Sequence, residues 1–153
     1  MAVIQYKVRD QFVEELELSF SASEHYSDQI SWVKAKVAFR FWSGFPETAI
    51  ERSGQDFSDV ERLIHDLRGV VKENKPVDFY PMEPDYHISV VRDGDSYEIT
   101  VTLDATGSQT TGVYCGVGPT MILPTDGNSL LKFADDLEKE LGQVKQTSKE
   151  GLK

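Results

Sequence analysis

The stretch Val77 to Ala105, VDFYPMEPDYHISVVRDGDSYEITVTLDA, sets the architecture, because it spells out an antiparallel hairpin. Tyr86, Ile88 and Val90 alternate with His87, Ser89 and Val91, Asp93-Gly94-Asp95 turns the chain, and Tyr97, Ile99, Val101 and Leu103 alternate with Glu98, Thr100, Thr102 and Asp104. Successive side chains of a strand point to opposite faces, so one face of this hairpin packs and the other meets water.

Working outward, Phe12, Leu16, Leu18 and Phe20 mark one side of a strand in FVEELELSF, with Glu15 and Glu17 facing away. A second strand carries an apolar row, Val33, Ala35, Val37, Phe39 and Phe41, against a basic row, Lys34, Lys36 and Arg40, whose face is expected to be solvated. Ser43-Gly44-Phe45-Pro46 turns into a weaker third strand around Thr48 to Arg52. The period then changes to that of a helix: Phe57, Val60, Leu63, Ile64, Leu67, Val70 and Val71 fall on one stripe, and Ser58 with Glu61 reads as a capping box. Asn74-Lys75-Pro76 stops this helix, since proline lacks the ladder amide and disfavours helical geometry before it. After the hairpin, a strand from Gly112 to Leu123 is interrupted by Gly116, Gly118 and Pro119. A second helix starts near Thr125 or Asp126 and turns Leu130, Phe133, Leu137, Leu141 and Val144 inward. The expectation is an α+β fold with antiparallel sheet of about six to seven strands in two meanders, two amphipathic helices and the order βββ-α-βββ-α. Residues 1–153 read as one domain, with 145–153 a disordered tail.

A chain of 153 residues buries enough surface to fold without a staple. Cys115 is the single cysteine, which fits a reducing compartment. The start, MAVIQYKVRDQF, is not a cationic leader followed by an apolar run, and no 18 apolar residues follow one another. The expected setting is therefore the cytoplasm. Twenty-six acidic against sixteen basic residues give a net charge of −10, divided as −3 over residues 1–76 and −7 over 77–153. Such a field repels phosphate backbones and anionic membranes, so neither nucleic acid nor membrane is an expected partner.

Reactive groups are sparse. His25, His65 and His87 show no metal-ligand spacing, Cys115 has no histidine near it in sequence, and the glycines of GVYCGVGPT do not lead directly into a helix that would hold phosphate. Asp93, Asp95 and Glu98 lack the glycine and distant glutamate of a calcium loop. No catalytic residue, metal or cofactor is expected. What remains is surface chemistry of the kind that binds proteins. Trp42 falls in phase with the basic row beside Phe45, Glu47 and Glu51 follow it, and Asp135, Asp136 and Glu140 cluster on the second helix, with Asp136 and Glu140 one turn apart on an outer face. These six are the candidate contacts. A self-associating accessory protein, paired through the sheet edge near Gly116, is the alternative, so homo-oligomers stay open.

The order of elements, from WVKAKVAFRF through DFSDVERLIHDLRGVV and the hairpin to SLLKFADDLEKEL, resembles the WapI-type immunity proteins of bacteria over roughly residues 30 to 144. Phe79-Tyr80-Pro81-Met82-Glu83-Pro84 matches their F-x-P-x-E-P piece, and Asp66-Leu67 their D-L helix ending. Cys115, Gly116 and Pro119 depart from the family's plainer closing strand. The resemblance implies a small non-catalytic cytoplasmic protein that binds and silences a cognate toxin, often a basic nuclease domain. It carries no functional residue over.

Overall fold

The computed structural model describes residues 1–9, 11–22, 32–41, 47–81, 85–103 and 118–150, with backbone alone at 11–13, 22, 32, 50, 52–54 and 148–150. Strands β1 (Ala2–Val8), β2 (Gln11–Ala22), β3 (Trp32–Phe41) and β4 (Thr48–Asp56) form one antiparallel sheet in chain order. Helix α1 (Phe57–Glu73) follows, then β5 (Val77–Phe79), β6 (Tyr86–Asp93), β7 (Ser96–Leu103) and β8 (Thr120–Thr125), a second antiparallel sheet in chain order, and helix α2 (Gly127–Glu150) closes the chain. The fold is α+β, with two meanders each followed by a helix, as the periodicities predict.

Each meander gains one strand over the expectation. In β1, Ala2 and Ile4 are buried while Gln5 and Lys7 are not fully covered, and Ile4 lies opposite Leu16 of β2. The turn into β2 holds Arg9 at φ 49°, a left-handed conformation unusual for a bulky side chain. In β5, Val77 and Phe79 are buried opposite Val90 and Ile88, but three residues are too few to show a period. The hairpin is as read: Asp93 pairs with Ser96 across a turn in which Gly94 takes φ 59°, where glycine has no Cβ to clash. The final strand is Thr120–Thr125; the earlier part of the stretch expected to form it, residues 112–117, including Cys115 and Gly116, lies outside the described residues.

Helix starts depend on side chains that replace missing intrahelical partners. Asp56, with extended backbone, accepts from the Ser58 amide at 3.0 Å and so caps α1, where the spacing suggested a Ser58–Glu61 box; Glu61 instead reaches across to Lys145. Asn74 ends α1 at φ 56°, ψ 34°, the left-handed cap that asparagine tolerates. Asp126 accepts from the Ser129 amide at 2.9 Å and from its hydroxyl at 2.8 Å at the head of α2. That helix continues through Glu150, across residues expected to be frayed: Val144 is buried and Lys145 lies 5.1 Å above the Phe57 ring.

One apolar cluster joins all the layers. Leu16, Leu18, Val37 and Phe39 of the first sheet, Leu63 and Leu67 of α1, Ile88, Ile99 and Leu123 of the second sheet, and Leu130 and Leu137 of α2 are each almost wholly buried. Helix α2 covers β1 and β2 and packs along α1, which in turn meets β4, β5 and β6, while β8 runs beside β1 and β2. Both helices thus take the inner faces of the sheets and leave the outer faces to other chemistry.

Candidate functional site

The outer face of the first sheet is a lattice of opposite charges. Arg40 stands opposite Glu15 in the β2–β3 register and forks onto Glu15 and Glu17, while its Nε donates to Glu47 at 2.6 Å. Lys36 approaches Glu47 at 3.5 Å and Glu17 at 3.7 Å, and Lys34 pairs with Glu51 at 2.8 Å. Arg40 holds the Glu47 carboxyl below its ordinary range, and Lys34 does the same to Glu51. The basic row is therefore charge-paired: Glu17 is buried and Ala38 is fully covered, while Lys34, Lys36 and Arg40 keep about a third or more of their side chains in solvent, as expected of a solvated face.

The sequence candidates fall in three places. Glu47 and Glu51 belong to this lattice, and Trp42 lies outside the described residues. Asp135 is exposed on α2 but bound to Arg68 of α1 at 2.6 Å, beside Glu138 at 2.8 Å, and Asp136 pairs with Lys132 one turn back. Glu140 does not share the outer face of Asp136. It is 8 % exposed, accepts the Phe20 amide of β2 at 2.9 Å, and lies 2.5 Å from the Met1 amine. The helical period drifts about 40° over four residues, which is enough to move Glu140 from the rim of the helix onto its sheet-facing side.

The histidines and the buried phenol differ in their surroundings. His87 meets Asp78 at 2.5 Å and stacks on Tyr80 with ring centroids 4.2 Å apart and 15° between planes. His65 is exposed on α1, at the edge of an open cleft of about 390 Å³ between the helices. That cleft is lined by Glu61, Arg68, Glu138 and Lys145, which are already in ion pairs, and by Ile64 and Leu141. A buried polar junction joins the sheets where Gln55 donates to the Tyr86 hydroxyl, near Asp59 and Asp85; burial pushes the Tyr86 phenol up, away from proton transfer at neutral pH. No group of three His, Cys, Asp or Glu side chains that would hold a metal occurs among the described residues. His25 and Cys115 lie outside them.

The outer face of the second sheet has a different character, which residue-by-residue reading missed. Residues 78–104 carry seven acids against the single base Arg92; among the described ones Glu98 stands at an outward position of β7, Asp93 and Asp95 lie at the exposed turn, Asp78 meets His87 and Asp85 is buried. Outward positions run in rows across the strands: Val91, Glu98 and Pro124; Ser89, Thr100 and Ile122; His87, Thr102 and Thr120. Three of the five large apolar side chains exposed among the described residues sit in this region, Tyr80 at 41 %, Val91 at 41 % and Ile122 at 54 %. The signal was present in the sequence as Val90-Val91 and Ile122-Leu123, apolar pairs that break strict alternation.

The chain is a two-sheet α+β scaffold with interlocked charges on one outer face and a partly apolar exposed surface on the other. Residues 10–145 match the Immunity protein WapI-like family, and the chain belongs to that family. Proteins of the family neutralise toxins by binding a protein partner and are generally non-catalytic. No curated protein matches the chain. No helix among the described residues is long and apolar enough to cross a membrane.

Proposed function

We propose that this chain is a non-catalytic cytoplasmic immunity protein that silences a cognate bacterial toxin domain, of the basic nuclease kind, by covering it with an acidic surface. The observation that carries the reading is the family match over residues 10–145. The net charge of −10 supports it, because an anionic inhibitor is drawn to a basic catalytic cleft and associates faster than a neutral one.

The test is to search the neighbouring coding sequences for a toxin and to co-express its toxin domain with this chain. Growth should be rescued, and the purified proteins should form a stoichiometric complex whose association rate falls as salt rises. A complex whose association rate ignores salt removes the electrostatic part of the proposal, and failure both to bind and to rescue removes the proposal itself.

A further inference from the structure

We infer that the outer face of β6, β7 and β8 is the docking surface, and that it takes a protein surface with an apolar centre ringed by lysine and arginine. This rests on the immunity reading and adds the place of contact and the chemistry of the partner.

The two outer faces of the molecule differ in what they leave for a partner. On the first sheet, Glu15, Glu17, Glu47 and Glu51 are matched internally by Lys34, Lys36 and Arg40, so an incoming cation has to displace an existing one. On α2, Asp135 and Asp136 are held by Arg68 and Lys132 in the same way. On the second sheet no lysine or arginine stands at an outward position among the described residues; Arg92, at the turn, points its Nε to the Gly94 carbonyl at 2.8 Å. Val91 and Pro124 flank Glu98, and Ser89 and Ile122 flank Thr100, so the acid of these rows stands directly between apolar neighbours. Asp93 and Asp95 extend the negative potential along the exposed turn. Desolvated apolar anchors within a charged rim are the arrangement that gives slow dissociation and fast association together.

A second copy of this chain is the wrong occupant. Strands about 4.8 Å apart, with same-face residues about 6.7 Å apart, give a face of roughly 400 Å², half of the ~800 Å² each partner contributes to a standard interface. Face to face, two copies would set Glu98 and the Asp93–Asp95 turn against their own kind, so enlarging the contact adds repulsion. A basic partner gains attraction from the same enlargement.

The experiment measures binding kinetics of the toxin domain identified by the co-expression test to the full chain and its variants. Ile122→Arg and Val91→Arg should weaken binding about 100-fold or more, through faster dissociation. Glu98→Lys should slow association about tenfold at low salt, an effect that shrinks as salt rises. Gln143→Arg and Glu73→Lys, which place the same new charges on exposed helix positions, should stay within about threefold of the unaltered chain. Hydrogen exchange of the unaltered complex, which needs no variant to fold, should show new protection in β6, β7 and β8. Normal binding by the β6 and β8 variants, or protection confined to the first sheet and the helices, overturns the inference and leaves the immunity reading intact. Loss of binding in Glu51→Lys or Asp136→Lys alone moves the surface to the ion-paired acids and also overturns it. Absence of any complex with the unaltered chain, together with no growth rescue, overturns both.

Discussion

Glu140 gives the sharpest stability prediction, because its removal strands a donor. Its Oε1 accepts the Phe20 amide at 2.9 Å in a buried setting, and Phe20 itself is 7 % exposed, so no bulk water waits to take over. Replacing Glu140 by alanine leaves that amide without a partner, and an unsatisfied buried group costs about 1–3 kcal/mol. A central value of about 2 kcal/mol, at about 2–4 °C per kcal/mol for a chain of this size, lowers Tm by about 4–8 °C. Glu140→Gln keeps an acceptor in place and should lose no more than about half as much. Calorimetry and urea titration of the two variants measure both numbers, and neutralisation of the toxin should survive wherever the variant remains folded. An alanine variant within about 0.5 kcal/mol of the parent would show that the buried bond is unimportant. A variant of full stability that no longer neutralises would return Glu140 to the binding surface.

Asp126→Ala should destabilise α2 by about 1 kcal/mol, read by urea melts. The Ser129 amide and hydroxyl hold the Asp126 carboxyl below its ordinary 3.8, so this stabilisation is complete above that value and fades as pH falls through the depressed folded value; the gap between parent and variant should close in acid. Leu137→Ala, at a fully buried position of α2, should cost about 2–5 kcal/mol by the same titration, with the lower end reached only if the helix settles into the void. Tyr86→Phe removes the acceptor of the buried Gln55 amide, whose Oε1 already has no partner among the described residues, and should cost about 1–3 kcal/mol.

Local signals carried most of the fold. Alternation placed β2, β3, β6 and β7, the helical stripe placed α1 and α2, and the stop at Asn74 emerged from proline chemistry two residues further on. β1 has the same alternation, Ala2 and Ile4 against Val3 and Gln5, but lies where a leader sequence is normally sought. β5 is too short to have a period, and its pairing with β6 comes from the sheet it joins. The candidate surface was less legible for a physical reason: the state of a charge depends on partners far away in the chain. Arg68 finds Asp135 and Glu138 across 67 and 70 residues, Lys145 finds Glu61 across 84, and Glu140 finds Phe20 across 120. A list of acids cannot distinguish a neutralised carboxylate from an available one. A tally by segment carries different information, the net charge being −3 over residues 1–76 and −7 over 77–153.

Because α2 is the cover for β1 and β2, the two ends of the chain depend on each other during synthesis. Each sheet joins only neighbouring segments and can zip up as it emerges from the ribosome, yet Leu16 and Leu18 have no roof until residues beyond 127 arrive. At bacterial elongation speeds that wait is about ten seconds, in which an oily half-built sheet is exposed to other nascent chains. The scaffold is therefore complete only once the last helix docks. Nonsense mutations anywhere before that helix should yield insoluble, unprotective protein.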